Sequence, residues 1–179
     1  MEKRLTKEDW IINGLSRLSK HGIKSLKAGA MATELNVSRG SFYWHFKSAS
    51  DFELQLMEAW KHRNTEAIIV ELNTKSSPEN RLVELVKLTI SNNLNLDKAM
   101  RSWSIVDSRA NQIVAEVDSQ RVAYVESLLK AINKIDEQEL SLRAKLLYWS
   151  CVGRAFVEAN SEPVYDLNDI KQLIGIFIH

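Results

Sequence analysis

The stretch Ser38-Arg39-Gly40-Ser41-Phe42-Tyr43-Trp44-His45-Phe46, residues 38–46, decides the fold of this chain. It opens with small, hydroxylated and cationic residues and closes with five large, flat side chains. Ser38 is a good N-cap, so a short helix is expected to follow it. Phe42 and Phe46 are spaced i, i+4 and predict one buried face, with Tyr43 and His45 pointing outward and Trp44 packing at the rim.

A second short helix precedes this one, over about residues 27–35, and Asn36 between them tolerates left-handed geometry. Helix, short turn and helix form the helix-turn-helix arrangement, whose second helix can enter the major groove of DNA. Arg39 could then form a forked pair with guanine O6 and N7. Gly40 would allow close approach of the backbone, and Ser41, Tyr43 and His45 could reach phosphates or bases.

The remaining sequence also predicts helices. Only 6 Gly and 2 Pro occur, and apolar residues recur at helical spacing almost throughout. Thr6 and Asp9 resemble a capping box that opens the first helix, which ends at Gly22. Ser48 opens a long helix to about residue 72. Further helices are expected near 78–95, 98–108, 110–134, 137–160 and 167–178. The fold class predicted is all-α.

Composition narrows the possible classes of protein. The 179 residues are 45% hydrophobic and 26% charged, as in soluble globular proteins. The charged N-terminus lacks an apolar signal core, and the lone Cys151 forms no internal disulfide, so a cytoplasmic protein without a membrane partner is expected. Residues 1–62 carry 10 basic and 7 acidic side chains, against 14 and 16 in residues 63–179. The sequence shows no nucleophile–base pair, metal-ligand cluster or phosphate loop, so no enzyme, metal or cofactor is expected.

Residues 22–47, from Gly22-Ile23 through Met31-Ala32-Thr33-Glu34-Leu35 to Tyr43-Trp44-His45-Phe46-Lys47, resemble the N-terminal domain of the tetracycline-repressor (TetR) family. The motif covers about residues 6–55. The resemblance implies a homodimeric repressor that binds operator DNA and releases it when a small molecule enters the C-terminal domain. It divides the chain into a DNA-binding domain, 1–47, and a ligand-binding and dimerisation domain, 48–179. The DNA-contacting positions it implies are Ser25, Lys27, Ser38, Arg39, Gly40, Ser41, Tyr43, His45 and Lys47.

Some positions depart from the family pattern. Ala49 stands where the family commonly has a phosphate-gripping lysine, and Ala28-Gly29 stand where a polar or basic residue is common. Each lost phosphate contact weakens binding and its salt dependence. The alternative is therefore a TetR-like fold that has weakened or lost DNA binding and acts as a ligand-binding or protein-interaction module.

The C-terminal region offers two sets of candidate residues. Aromatic side chains and one arginine could line a ligand cavity between helices, although a plain core, with Arg121 paired to Asp118 or Asp107, accounts for the same pattern. The helices near 137–160 and 167–178 are apolar enough to pack against their copies in a four-helix interface. The ligand candidates are Trp103, Arg121, Tyr124, Tyr148, Trp149 and Phe156. The interface candidates are Leu147, Cys151, Leu167, Ile170, Ile174 and Phe177.

Overall fold

The computed structural model describes residues 5–75, 77–91, 94–132, 136–157 and 165–178, and no strand occurs among them. The predicted all-α fold is confirmed. The helices are α1 Lys7–His21, α2 Ala28–Glu34, α3 Arg39–His45, α4 Ala49–Lys61, α5 Ala67–Leu72, α6 Pro78–Ser91, α7 Asn95–Ser104, α8 Ser108–Ile132, α9 Glu137–Val157 and α10 Leu167–Ile178, with a 3₁₀ turn at Ile23–Ser25 and a π-helical turn at His62–Glu66.

Several helix ends near the N-terminus follow the capping chemistry of the sequence, although Ser38, at the N-cap position of α3, makes no side-chain cap hydrogen bond. Thr6 accepts the Asp9 N–H while the Asp9 carboxylate accepts the Thr6 N–H, so the predicted capping box is present. The α1 helix ends at Gly22, whose φ of 70° lies in the region that favours glycine. Asn36 is at φ 54°, as its residue type allows. Ser48 caps α4 by accepting the Asp51 N–H.

Residues 1–63 and 95–115 form one compact unit, unit 1, and residues 64–94 and 116–179 form another, unit 2. The core of unit 1 is an aromatic cluster built from three helices. Phe42 lies 5.3 Å from Trp10, 5.0 Å from Phe46 and 5.3 Å from Phe52, measured between ring centroids. The pairs of Phe42 with Trp10 and with Phe52 are edge-to-face, and such pairs contribute about 0.5–1.5 kcal/mol beyond the burial of the rings. This cluster fixes α3 against α1 and α4.

Unit 2 has a separate aliphatic core. It is assembled from α6, α8, α9 and α10, and its buried members are Leu82, Val86, Ile90, Val125, Leu128, Leu129, Leu140, Ala144, Leu147, Ile170 and Ile174. The sequence predicted that residues 1–47 bind DNA and that residues 48–179 bind a ligand and form the dimer. This division is one of binding function, which the packing of the two units does not test, so it stays a prediction.

The predicted helix ends near residues 95, 134 and 160 involve residues 92–93, 133–134 and 158–160, which lie outside the described residues. Two other predicted helices differ from the structure. The long helix expected from Ser48 to about residue 72 is interrupted by the π-helical turn at His62–Glu66. The helix expected near 98–108 lies at Asn95–Ser104 because Asp107 starts the next helix. The Asp107 carboxylate accepts the N–H groups of Arg109 at 2.9 Å and Ala110 at 3.3 Å, which makes it the N-cap of α8.

Candidate nucleic-acid interface and effector site

The turn between α2 and α3 is fixed by backbone hydrogen bonds. The N–H of Val37 donates to the Ala32 carbonyl at 2.9 Å, and that of Asn36 donates to the Thr33 carbonyl at 3.2 Å. An ion pair between Arg17 and Glu34 joins the end of α2 to α1, and this hydrogen bond lowers the pKa of Glu34. The helix-turn-helix geometry predicted from the sequence is therefore present and braced.

The inner face of α3 is an anchor. Phe42 and Phe46 are each 1% exposed, which confirms that both turn inward. Burying a phenylalanine side chain contributes about 1.5–3 kcal/mol, so these two rings hold the short helix in place although seven residues are too few for a stable isolated helix.

The outer face of α3 presents a paired arginine and tyrosine. Arg39 Nη2 donates to the Tyr43 hydroxyl at 3.3 Å, and the guanidinium lies 5.8 Å from the centroid of the Tyr43 ring. Both residues are exposed, as are Ser38 and Gly40 in the first turn, and Ser41 is partly buried. The stacking restrains Arg39 and leaves the rest of its fork to face solvent.

Trp44 and His45 differ from the sequence-based expectation. Trp44 does not pack at the rim: it is 82% exposed and projects from α3. His45 is partly buried, and its Nε2 lies 3.1 Å from the Leu5 carbonyl oxygen. In that contact Nε2 donates, so in the neutral imidazole Nδ1 carries no proton and is a hydrogen-bond acceptor. The local sequence could not reveal this contact because its partner is 40 residues away.

The remaining predicted DNA contacts flank the two short helices. The Ser25 hydroxyl lies 2.7 Å from the Gly22 carbonyl, and Arg17 Nε donates to the Ser25 carbonyl at 3.0 Å, so Ser25 is part of the support of the 3₁₀ turn. Lys27 is exposed at the N-cap position of α2. Lys47 is exposed, and its N–H donates to Asp51 at 2.8 Å.

The start of α4 is tied to the start of α8 by Arg109. Its guanidinium donates to Ser50 Oγ at 2.6 Å, to Glu53 at 2.9 Å and to Asp107 at 2.6 Å. The hydrogen bond from Arg109 is the main reason why the pKa of Asp107 is lowered to about 2, and these carboxylates raise the pKa of Arg109. No local sequence signal predicts the contacts of Arg109 with Ser50 and Glu53, because these residues lie 59 and 56 positions away from it.

The six ligand candidates are divided between the two units. Trp103 is buried in unit 1, whereas the others belong to unit 2. The Tyr124 hydroxyl donates to Asn73 at 3.1 Å, and the Tyr148 hydroxyl donates to Asp118 at 2.5 Å. Arg121 donates to Thr65 and to the Asn64 carbonyl, and Asp107 is engaged by Arg109. Trp149 and Phe156 are 57% and 53% exposed and lie on the surface.

Unit 2 contains a cavity of about 540 Å³ between α9, α10 and the end of α6. Its walls include Ile90, Cys151, Arg154, Asp169 and Leu173. Arg154 donates to the carbonyls of Thr89 and Ile90 at 3.0 and 3.1 Å. Burial raises the pKa of the Cys151 thiol, so the thiol form is favoured there. The volume is within the range of roughly 300–1,000 Å³ typical of small-molecule sites.

The interface candidates on α9 and α10 differ in exposure, and their role stays a prediction. Leu147, Ile170 and Ile174 are buried in the core of unit 2, where they pack these helices against their own chain. Cys151 and Phe177 are partly buried and Leu167 is exposed. The apolar surface that α9 does expose is a stripe at helical spacing, formed by Leu142, Leu146, Trp149 and Phe156. We call these four residues the α9 stripe.

Two structural features are absent from the described parts of the chain. No group of three or more His, Cys, Asp or Glu side chains there could hold a metal ion. Among the same residues, no helix is long and apolar enough to span a membrane.

The described fold and helix-turn-helix geometry resemble solved structures of transcriptional regulators. A protein from Saccharomonospora viridis assigned as a transcriptional regulator, in complex with choline, has a TM-score of 0.78 and 15% sequence identity, over 96% of this chain and 94% of that one. The regulator FadR from Bacillus subtilis, in complex with stearoyl-CoA, has a TM-score of 0.71 and 12% identity, over 97% and 98%. A protein from a Rhodococcus species assigned to the TetR family has a TM-score of 0.67 and 17% identity, over 96% of each chain.

No protein-family profile matches the sequence, and no curated protein matches it significantly. The chain has the fold class of helix-turn-helix transcriptional regulators built only of helices. More specifically, its fold is that of the TetR-like regulators, and the resemblance seen in the sequence is confirmed at that level.

Proposed function

We propose that this chain is a cytoplasmic, homodimeric transcriptional regulator that represses from operator DNA and releases it when a small molecule binds in its C-terminal region. The observation that carries the proposal is the recognition helix. Arg39 and Tyr43 form an exposed, mutually restrained pair on α3, opposite two phenylalanines that lock the helix in place. A short rigid helix with a restrained arginine at its first turn suits readout of guanine in the major groove.

The proposed contacts differ in kind. Arg39, Gly40 and Ser41 are at the leading turn of α3 and would approach base edges, whereas Tyr43, Lys27 and Lys47 would bind phosphates. Ser25 and Ser38 would position the two helices through their backbone. His45 would act through Nδ1, because Nε2 is engaged by the Leu5 carbonyl.

The homodimer is proposed to form through the α9 stripe. Four large apolar side chains exposed on one helix face are costly to leave in water. A second copy related by a two-fold axis would cover them, since a two-fold interface pairs the same patch on both chains. The effector is proposed to enter the 540 Å³ cavity of unit 2, whose largely apolar walls carry Arg154 and Asp169.

The test is binding of overlapping duplexes from the DNA flanking its own gene, followed by anisotropy of a labelled duplex and footprinting. Arg39→Ala should weaken binding to the footprinted duplex by about 1–3 kcal/mol and relax the base preference at one position. Lys130→Ala, which removes an exposed cation from the last turn of α8, is the matched control and should leave binding unchanged. If the wild-type protein binds every flanking duplex no more tightly than random DNA at moderate salt, the proposal is wrong.

A second candidate function is a TetR-like module that has lost DNA binding. It is favoured by Ala49, by Gly29 and by the engagement of His45 with the N-terminal segment. The two functions differ in salt dependence, because each phosphate contact contributes a slope of about 0.9 to the plot of log affinity against log salt. A slope near zero would favour the module.

A further inference from the structure

An irregular turn follows α4, the helix that comes directly after the helix-turn-helix. The π-helical turn at His62–Glu66 separates α4 from α5. A π turn holds an extra residue, interrupts the regular hydrogen-bond ladder and is rare, and it is often found at functional sites. An irregularity of this kind usually has an identifiable cause, such as a side chain that interacts with the hydrogen-bond ladder.

Arg121 supplies that cause in unit 2. From α8, its Nη2 donates to the Asn64 carbonyl at 3.1 Å and its Nε donates to Thr65 Oγ1 at 3.0 Å. Thr65 is 2% exposed, so these hydrogen bonds are made away from water. The rigid fork of a guanidinium can bind a backbone carbonyl and a neighbouring hydroxyl together, which a single ammonium does less well.

The first two residues of the turn, His62 and Arg63, belong to unit 1. Arg63 forms an ion pair with Glu8, in the first turn of α1. The chain just before the turn continues into α4, where Phe52 packs 5.3 Å from Phe42, the anchor of the recognition helix. A change in the register of α4 would therefore move Phe52 against the Phe42 ring that anchors α3.

We propose that the π-helical turn is a register switch, held in its π form by Arg121. When Arg121 withdraws, the extra residue enters the α ladder, and the helix beyond it shifts by one residue, which is a rotation of about 100° and a rise of about 1.5 Å. This shift would alter the setting of α4 behind the recognition helix and lower DNA affinity. The part that concerns DNA rests on the proposed function, whereas the part that concerns the turn does not.

The first test is a pair of single-residue deletions followed by thermal unfolding and circular dichroism. Deleting His62 removes the extra residue of the π turn and lets both flanks keep their registers. Deleting Glu58, an exposed residue of the regular helix α4, forces the rest of the helix to rotate by about 100°. The proposal expects the first variant to keep its helix content and melting temperature and the second to lose both. Equal losses in the two variants would overturn it.

The second test is amide hydrogen exchange over residues 62–72 in the Arg121→Met protein. Loss of hydrogen bonds to a charged group should speed exchange there by roughly ten- to a hundred-fold. Lys130→Met, on the same helix, should have no effect. If Arg121→Met does not fold, Thr65→Val, which removes one acceptor and keeps the side-chain shape, takes its place with a smaller increase. Exchange equal to that of the control overturns the role of Arg121.

The third test is DNA affinity, measured on the duplex that footprinting defines. Arg121→Met should weaken DNA binding. The double variant that also lacks His62 should bind DNA as tightly as the wild type, because without the extra residue the helix has a single register. Unchanged affinity in Arg121→Met would make the turn a fixed bend and overturn the switch. If the wild-type protein binds no DNA, the proposed function fails, while the deletion and exchange tests still decide whether Arg121 holds the turn.

Discussion

Replacing Gly14 with alanine tests how tightly α1 packs against α4 beneath the recognition helix α3. Gly14 lies on α1 where α4 approaches it, and an added Cβ would lie 2.6 Å from Phe52 Cζ and 2.9 Å from Leu56 Cδ1. The Phe52 ring cannot easily yield, since it is itself 4.9 Å from Phe46 and 5.3 Å from Phe42. The methyl group therefore has to displace a ring that supports α3.

Two opposing terms set the magnitude. Alanine is favoured over glycine inside a helix by up to about 1 kcal/mol. Overpacking a well-filled core costs about 1–3 kcal/mol. Gly14→Ala should thus lower the free energy of unfolding by roughly 0–3 kcal/mol. Gly29→Ala, in the same unit, is the matched control, because an added Cβ there meets nothing within 4 Å. It should gain up to about 1 kcal/mol.

The difference between the two variants isolates the clash, because the propensity gain is common to both. Urea unfolding should show Gly14→Ala less stable than Gly29→Ala by about 1–3 kcal/mol, with unchanged m values. DNA binding should weaken in Gly14→Ala, since the shifted Phe52 disturbs the anchor Phe42. Equal stabilities would refute the reasoning, because they would mean that α1 and α4 separate at no cost.

Three further outcomes follow from other parts of the molecule. Because Arg109 lowers the pKa of Asp107 from 3.8 to about 2, the ionised carboxylate stabilises the fold above about pH 4, and this contribution is lost as the pH falls towards 2. Asp107→Asn keeps a capping side chain, and the free energy of unfolding of this variant should change less between pH 4 and pH 2 than that of the wild type. The same pH dependence in both proteins would contradict this prediction. Leu146→Glu in the α9 stripe should give a folded monomer by light scattering, whereas a persistent dimer would exclude that surface. Tyr43→Phe removes the acceptor of Arg39 and should weaken operator binding by about 0.5–1.5 kcal/mol, with equal affinity counting against the pair.

The sequence predicted local structure well and long-range contacts poorly. The caps at Thr6 and Ser48, the positive φ of Gly22 and Asn36, and the inward turn of Phe42 and Phe46 all depend on residues within four positions, and all are confirmed. Periodicity shows that a face is apolar but not what covers it. For this reason the buried Leu147 and the exposed Trp149, two positions apart on α9, could not be told apart.

The contacts that the sequence missed join distant segments. Arg109 meets Glu53 across 56 positions, and Arg121 meets Thr65 across the same separation. Neither pair leaves a spacing signal, because only the folded chain brings its members together. The π-helical turn was missed for the same reason: the arginine that donates hydrogen bonds to Asn64 and Thr65 in the turn comes from α8.

The exposure of Trp44 has a practical consequence. Of the five tryptophans, Trp10, Trp60 and Trp103 are buried, so only Trp44 and Trp149 can be reached by a dissolved quencher such as iodide. One of the two projects from the recognition helix and the other belongs to the α9 stripe. The intrinsic tryptophan emission of the unlabelled protein should therefore distinguish two binding events. In Trp149→Phe the quenchable emission comes from Trp44 and should respond to a bound duplex, and in Trp44→Phe it comes from Trp149 and should respond to a second chain.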